Sequence, residues 1–371
     1  MDLCLDQAAD WEGGGRLTVD LTQLLDNWRR LKERAGGAEV AGVVKADAYG
    51  LGLEGIAAAL AGAGCRTFFV AIPAEGLRLR AIAPDAVIYV LNGLAPGAAA
   101  AYGRARLRPV LGSPAEVAEW SSYRAAGGKA LAALQIDTGL NRLGLTPAEA
   151  GPLAGRAAAL GITLVMSHLA CADQPDHPLN AAQLSAFRAV TRLFPGIPAS
   201  FANSAALYLP ADYHFDLVRP GIALYGGAFR AAYPVLGAVA IAEARIAQIR
   251  CVAAGEPIGY GAKDHLDRAG RIAILSAGYA DGYHRRAGSS RARAGASVHL
   301  HGREAPLVGR ISMDLMAVDV TDIPEARRGD FAELFGPNIA LDSVADRADT
   351  IGYELLTAIG RRYRRHYRGG A

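Results

Sequence analysis

A lysine ends the apolar run in the stretch GVVKADAYGLG, residues 42–52. The run GVV predicts a buried β-strand, and lysine is rarely buried without a partner. An amine at the mouth of such a strand is partly desolvated, which lowers its pKa and suits it to form a Schiff base with an aldehyde. Tyr49 follows in a glycine-rich loop that can offer a hydroxyl group and a close backbone approach. Lys45 is therefore a candidate for covalent chemistry, although a simple ion pair with Asp47 would also explain it.

The same stretch satisfies a dinucleotide-binding pattern. Gly50, Gly52 and Gly55 form G-x-G-x-x-G, and Glu75 follows the next predicted strand where a ribose ligand would stand. In that fingerprint the first glycine ends the strand directly, so that a helix N-terminus meets the pyrophosphate. Here Lys45 ends the strand and four residues intervene. The spacing therefore favours lysine chemistry over dinucleotide binding.

The elements that must position these residues follow a repeating order. Short apolar runs alternate with amphipathic helical stretches, most clearly at 179–194, where Leu184 and Phe187 share one face. Ser113 begins another helix as an N-cap. Eight candidate strands lie at 38–45, 67–72, 86–91, 107–111, 130–137, 162–168, 198–202 and 215–219. Eight such units within residues 15–236 predict a closed, TIM-like (β/α)8 barrel rather than an open sheet.

Four polar residues end predicted strands of this barrel: Lys45, Asp137, His168 and Arg219. In such barrels the catalytic groups gather at the C-terminal ends of the strands, so these side chains are predicted to share one site.

The chain changes its pattern after residue 236. Apolar and polar residues alternate between glycine turns, which is typical of a mostly antiparallel β domain over 237–371, closed by a short helix within 350–367. Residues 1–14 are expected to form a mobile leader. The basic run GRRYRRHYRGG at 360–370 is interpreted as a solvated tail or helix end.

Composition excludes several other functions. A net charge of +3 in 371 residues is too small to indicate a nucleic-acid partner. The four cysteines are far apart and no histidine stands at zinc-like spacing, which predicts no metal site and a reducing compartment. The acidic N-terminus does not resemble a signal peptide, and no apolar run is long enough to span a membrane. We therefore expect a cytoplasmic protein with no membrane partner.

The lysine motif resembles that of the alanine racemases, and the resemblance extends from about residue 16 to about residue 365. The other matching segments, in the family's order, are QIDTGLNRLG (135–144), SHLACAD (167–173), NSAA (203–206), RPGIALYG (219–226), GYGA (259–262), GYADGY (278–283), GRISMD (309–314) and YELLTAIGRRYRR (353–365). The family implies a fold-type III pyridoxal-phosphate enzyme with a barrel, a β domain and a homodimer with two shared active sites. It also implies interconversion of L- and D-alanine, with D-alanine feeding peptidoglycan synthesis.

The resemblance implies a role for each matching residue. Lys45 is expected to hold pyridoxal phosphate and to move a proton on one face of the substrate, with Tyr260 of the partner subunit acting on the other face. Arg219 is expected to face the pyridine nitrogen, where a guanidinium group can only donate a hydrogen bond, and His168 to orient it.

The remaining implied roles concern the cofactor phosphate and the substrate. The implied phosphate-binding residues are Tyr49, Asn203, Ser204, Gly221 and Ile222. The implied substrate-binding groups are Arg142, the Met313 N–H and Tyr279 of the partner subunit. At Gln135 many relatives carry a lysine that becomes carbamylated and steadies the substrate-binding arginine; Gln135 offers only a neutral amide.

Two alternatives remain at this stage. A racemase of serine, or of a broader set of amino acids, would share the same fold. A non-catalytic pyridoxal-phosphate carrier would resemble the barrel alone, so a β domain with Tyr260, Tyr279 and Met313 argues against it.

Overall fold

The computed structural model describes residues 13–228 and 236–370 of the chain. The chain divides into two compact units, one comprising mainly Leu24–Leu224 and the other mainly the segment up to Gln23 together with Gly237–Gly370. Residues 1–12 of the expected leader lie outside the described residues. The last two leader residues belong to the second unit, where the carbonyl oxygens of Gly13 and Gly14 accept hydrogen bonds from Arg245.

The first unit is the predicted α/β barrel. Its seven successive parallel strands pair in chain order: Gly42–Val43, Thr67–Val70, Val87–Val90, Arg108–Leu111, Ala132–Gln135, Ile162–Met166 and Ala199–Ser200. Thr67–Val70 is buried along its whole length, as expected for a parallel strand covered on both faces.

An eighth strand closes the ring. Leu217–Val218 pairs in parallel with Glu39–Val40, which directly precedes the first barrel strand. On its other side, the Asp216 N–H donates to the Ala199 carbonyl oxygen at 3.1 Å. All eight predicted strand regions therefore contribute to the barrel.

Helices cover the outside of the barrel strands. The α-helices are Leu21–Ala35, Leu53–Gly62, Pro73–Ile82, Ala99–Ala105, Pro114–Ala125, Pro147–Ala150, Ala157–Leu160 and Pro178–Thr191, and the 3-10 helices are Gly151–Arg156, Ala206–Tyr208, Ala211–Tyr213 and Ile222–Tyr225. Leu184 and Phe187 are buried, which confirms the predicted apolar face of the 178–191 helix. Ser113 Oγ accepts a hydrogen bond from the Glu116 N–H at 3.3 Å, which confirms the predicted N-cap.

The second unit is a mostly antiparallel β domain, as predicted. The eight strands among its described residues are Gly15–Asp20, Ala240–Val252, Gly270–Leu275, Ser297–Leu300, Arg303–Pro306, Met316–Asp319, Phe331–Phe335 and Tyr363–Arg368. Its α-helices are Leu341–Ala348 and Gly352–Ala358, and its 3-10 helices are Tyr260–Ala262, Tyr279–Asp281 and Arg285–Ala287.

Two local predictions differ from the structure. Gly15–Asp20, which we assigned to the barrel, pairs antiparallel with the strand Ala240–Val252 and in parallel with Tyr363–Arg368. The basic run at 360–370, interpreted as a tail or helix end, forms that last strand. Both partners lie more than two hundred residues away from Gly15–Asp20, so no local pattern reveals the pairing. Among the described residues, no helix is both long and apolar enough to cross a membrane.

Candidate active site

The C-terminal rim of the barrel brings the predicted residues together. Lys45, His168 and Arg219 each follow a barrel strand by one or two residues, and Ser204 follows the strand Ala199–Ser200. Because the strands are parallel, these positions lie on the same rim. The charges of Lys45, Arg219 and Arg142 all act on His168, which is consistent with their sharing one site.

Lys45 is half-buried behind the fully buried Val44. Burial lowers the pKa of the Lys45 amine, and the cations of Arg142 and Arg219 lower it further, whereas the Glu75 carboxylate opposes the change. An amine with a lowered pKa is a better nucleophile near neutral pH. Asp47, the alternative partner for this lysine, forms an ion pair with Arg78 at 2.7 Å.

The backbone after Lys45 forms one turn of left-handed helix. Ala46, Asp47, Ala48 and Tyr49 all have φ between 53° and 56°. None of the four is a glycine, and this conformation costs L-residues about 1–2 kcal/mol each. Such a conformation persists only where surrounding contacts determine it, and it is typical of functional sites. We call residues 46–49 the left-handed turn.

Arg219 is buried between neutral oxygen acceptors. Its guanidinium donates to Ser200 Oγ at 2.5 Å and to the Ser167 carbonyl oxygen at 2.7 Å. Within residues 13–228, no carboxylate lies at ion-pair distance from it. Burial lowers the pKa of Arg219 to about 9, so the group keeps its proton at neutral pH.

His168 is held neutral beside Arg219. Burial and the cations of Arg219, Arg142 and Lys45 lower its pKa to about 3. Nη2 of Arg219 lies 3.3 Å from Nδ1 of His168, and a guanidinium can only donate. Nδ1 is therefore the acceptor, and the neutral ring carries its proton on Nε2.

An anion cradle forms where Tyr49, Ser204 and Gly221 meet. Ser204 Oγ accepts hydrogen bonds from the N–H groups of Gly221 at 2.9 Å and of Ala223 at 3.3 Å, which leaves its hydroxyl hydrogen directed elsewhere. A Cβ atom at position 221 would lie 2.2 Å from Tyr49 Oη, so glycine is required for this approach. Asn203 Oδ1 accepts the N–H of Ala206, at the start of the three-residue 3-10 turn Ala206–Tyr208 that follows Ser204.

Arg142 lies exposed on the loop after the strand Ala132–Gln135. The Asp137 carboxylate shapes this loop by accepting the N–H groups of Gly139 at 2.8 Å and Leu140 at 2.9 Å. Asp137 therefore shapes the loop that carries Arg142. Within the described part of the chain, no hydrogen bond joins Gln135 to Arg142.

The β domain presents its three predicted residues on its surface. Tyr260 is 72% exposed, Met313 53% and Tyr279 42%. Tyr279 and Met313 are neighbours, because the N–H of Ala280 donates to the Met313 carbonyl oxygen at 3.0 Å. Exposed aromatic and apolar side chains in such a group are typical of a contact surface.

The Tyr260 loop is fixed from beneath by a buried carboxylate. Asp264 follows the 3-10 turn Tyr260–Ala262, and its Oδ2 accepts hydrogen bonds from the Ser289 hydroxyl and, at 3.2 Å, from the Gly309 N–H. The Ile258 N–H donates to the Asp264 carbonyl oxygen at 2.9 Å, which closes the base of the loop.

Sequence reasoning missed several residues that support the site. The Ser200 hydroxyl and the Ser167 carbonyl oxygen accept hydrogen bonds from Arg219. No local sequence pattern indicates this role. Glu75, considered above as a ribose ligand, instead accepts backbone N–H groups of Ala46 and Ala71. Its place in the first turn of the helix Pro73–Ile82 was the available signal, because glutamates there commonly cap backbone N–H groups.

An α/β barrel with a lysine of lowered pKa at its rim, joined to a β domain, is the architecture that the resemblance implied for fold-type III pyridoxal-phosphate enzymes. Comparison with known proteins narrows this class. The alanine racemase N-terminal domain matches residues 19–228, and the alanine racemase C-terminal domain matches residues 239–367. The chain belongs to the alanine racemase family.

Individual relatives agree with this assignment. An alanine racemase of Rhizobium meliloti is 51% identical, with 96% of this chain and 97% of the relative covered. A biosynthetic alanine racemase of Agrobacterium fabrum is 49% identical over 95% of this chain and 93% of the relative. The crystal structure of alanine racemase from Bartonella henselae, with covalently bound pyridoxal phosphate, has a TM-score of 0.89 at 39% identity and covers 96% of this chain and 99% of its own.

Proposed function

We propose that this enzyme interconverts L-alanine and D-alanine with pyridoxal phosphate as its cofactor. The observation that carries the proposal is the position of Lys45. Its amine has a lowered pKa and lies on the same rim as the anion cradle of Tyr49, Ser204 and Gly221. Racemase relatives that match nearly the whole chain support the same reaction.

The residues at the rim fit this cofactor. The cradle offers the Tyr49 and Ser204 hydroxyl groups and a close backbone approach at Gly221 to a phosphate, and Ile222 begins a 3-10 turn there. Asn203 lies beside Ser204 and completes this group. When bound, pyridoxal phosphate supplies an aldehyde for a covalent link to an amine and a ring that accepts electrons released at the substrate Cα.

Arg219 faces the ring nitrogen in this proposal. Because its pKa remains about 9 and Ser200 and Ser167 hold it, it donates a hydrogen bond without transferring a proton. Because Arg219 would donate to the ring nitrogen without protonating it, the cofactor would withdraw electrons less strongly, which would disfavour side reactions. His168 keeps Arg219 oriented without adding a charge.

Two proton-transfer groups act on opposite faces of the substrate Cα. Lys45, when its amine is free, would remove or return the proton on one face. Tyr260 of the partner subunit serves the other face. Arg142 and the Met313 N–H bind the substrate carboxylate, and Tyr279 of the partner subunit narrows the entrance so that small amino acids are favoured.

A homodimer with shared sites follows from this division of roles. The β domain exposes Tyr260, Tyr279 and Met313, and a two-fold dimer applies the same surface twice. The D-alanine produced would supply peptidoglycan synthesis, a role supported by the biosynthetic relative.

A substrate comparison tests the proposal. The holoprotein is incubated separately with L-alanine, L-serine and L-arginine, and the D-isomer is measured by chiral chromatography. We expect D-alanine to form fastest. Faster formation of D-serine or D-arginine would favour the broader racemase, and absence of every D-isomer from a protein that holds the cofactor would favour a carrier.

A further inference from the structure

A glutamate on the helix Pro73–Ile82 contacts the left-handed turn. Glu75 lies in the helix Pro73–Ile82. Its Oε1 accepts the Ala46 N–H at 2.6 Å, and its Oε2 accepts the Ala71 N–H at 2.8 Å. Ala46 is the residue after Lys45, and Ala71 is the residue after the strand Thr67–Val70. One carboxylate therefore joins the ends of two neighbouring strands.

An arginine one helical turn later makes a second contact with the same segment. Arg78 Nη2 donates to Asp47 Oδ1 at 2.7 Å, and two further hydrogen bonds of 2.8 Å join Arg78 to Glu54. Asp47 Oδ1 also accepts the Leu53 N–H at 3.1 Å. Residues three apart share one face of a helix, so Glu75 and Arg78 act on the turn from the same side.

Local hydrogen bonds do not explain why the turn is left-handed. The Gly50 N–H donates to the Ala46 carbonyl oxygen at 2.8 Å and the Gly52 N–H to the Asp47 carbonyl oxygen at 2.9 Å. A right-handed turn forms bonds of the same kind without the unfavourable φ values. Contacts from outside the segment must therefore select the conformation.

The backbone conformation of the turn sets the position and direction of two functional side chains. Lys45 directly precedes it and Tyr49 is its last residue, with Tyr49 Oη packed at the cradle beside Gly221. A turn that relaxed to right-handed geometry would redirect both side chains. The Glu75 carboxylate also raises the pKa of Lys45. The other titratable groups that interact with Lys45 are Arg142, Arg219 and the neutral His168.

We propose that Glu75 and Arg78 are positioning residues, which hold the left-handed turn and thereby aim Lys45 and Tyr49 at the barrel rim. The proposal rests on the proposed function for the chemistry of Lys45, but its statement about the turn stands independently. It predicts that a helix outside the site controls the reactivity of the lysine.

The barrel contains a matched control for this role. Glu116 stands in the first turn of the helix Pro114–Ala125 and also joins two strand ends, accepting the Leu94 N–H at 2.7 Å and the Gly112 N–H at 2.8 Å. The segments that it joins carry none of the proposed site residues. Glu75→Gln and Glu116→Gln therefore remove the same kind of contact, one beside Lys45 and one away from it.

Two measurements on the full chain test the proposal. Glutamine keeps the size of glutamate but offers one acceptor oxygen, so its NH2 group opposes one of the two N–H donors. Hydrogen–deuterium exchange of residues 46–52 is measured first; Glu75→Gln is expected to raise it about tenfold or more.

In the second measurement, pyridoxal phosphate is added to cofactor-free protein and the adduct is trapped with borohydride. Glu75→Gln is expected to slow labelling of Lys45 about tenfold or more, because misplacing a reacting group by 1 Å can cost about a hundredfold.

The control variants decide the interpretation. Glu116→Gln should leave both measurements within about twofold of the parent chain. Arg78→Met, at an exposed position that tolerates substitution, should raise exchange of residues 46–52 even if Glu75→Gln does not fold. Parent-like exchange and labelling in the Glu75 and Arg78 variants, or an equal loss of labelling in Glu116→Gln, would overturn the proposal. If the parent chain gives no adduct on Lys45, the proposed function fails, and the exchange measurement alone still decides whether Glu75 and Arg78 hold the turn.

Discussion

Nη2 of Arg219 donates a hydrogen bond to Nδ1 of His168 across 3.3 Å. This contact places a donor that is charged at neutral pH against a ring that must stay neutral to accept. Burial and three neighbouring cations enforce that state, and they lower the pKa of His168 to about 3. Because folded His168 resists protonation, this pair makes the stability of the fold depend on pH.

The first prediction concerns pH and stability. Unfolded His168 gains a proton as the pH falls below about 6.5, whereas folded His168 stays neutral down to about pH 3. Its contribution to stability is thus complete above about pH 6.5 and is lost as the pH falls towards 3. At about pH 5 the loss reaches about 2 kcal/mol of unfolding free energy. In His168→Asn, whose amide oxygen can still accept from Arg219, urea unfolding should show this part of the pH dependence removed. An unchanged difference between about pH 7.5 and pH 5 would contradict the neutral state.

The second prediction identifies the cofactor-binding lysine. The sequence holds four lysines: Lys32, Lys45, Lys129 and Lys263. Borohydride reduction of the yellow holoprotein should abolish its visible absorbance and leave the label on Lys45, whose pKa is lowered. Peptide mapping distinguishes the four directly. A label on Lys129 or Lys263 would rule out the proposed site.

The sequence predicted the barrel because each of its strands is a continuous apolar run that local patterning reveals. It did not predict the left-handed turn, since Ala46, Ala48 and Tyr49 are not residues that favour positive φ. That conformation depends on Glu75 and Arg78, which lie about thirty residues further along the chain. The same limit applies to Gly15–Asp20, which pairs with strands more than two hundred residues away. Local sequence patterns predict individual strands and helices, whereas they do not predict contacts between residues that are far apart in the chain.

The third prediction concerns the shape of the anion cradle. Gly221→Ala would place a methyl group 2.2 Å from Tyr49 Oη and 3.0 Å from its ring carbon Cζ. We expect the affinity for pyridoxal phosphate, measured by absorbance titration, to fall about tenfold or more, which corresponds to about 1.4 kcal/mol. The loss in Gly221→Ala/Tyr49→Phe should be smaller than the sum of the two single losses, because the two changes act on one contact. Gly37→Ala, where a Cβ meets nothing within 4 Å, serves as the control. Equal affinities for Gly221→Ala and Gly37→Ala would show that the cradle does not hold the cofactor.

The fourth prediction separates the two proton-transfer groups. We expect Lys45 to exchange the Cα proton of D-alanine and Tyr260 that of L-alanine. In Tyr260→Phe, solvent deuterium should still enter D-alanine while net racemisation falls by about two to four orders of magnitude. Mass spectrometry of each separated enantiomer gives both rates. Equal loss of exchange from both enantiomers would assign Tyr260 a structural role instead.

The last prediction tests whether each site is built from two chains. Lys45→Ala and Tyr260→Phe should each be almost inactive as homodimers. When the two are unfolded together and reassembled at random, about half of the dimers should contain one chain of each kind. In such a dimer one site receives both defects, whereas the other combines an intact Lys45 with an intact Tyr260 of the partner subunit. Activity should therefore recover to about a quarter of that of the parent protein, since half of the dimers carry one good site of two. If each chain formed its own site, every site would keep a defect. Absence of recovery, with mixed dimers verified by native mass spectrometry, would therefore exclude the shared site.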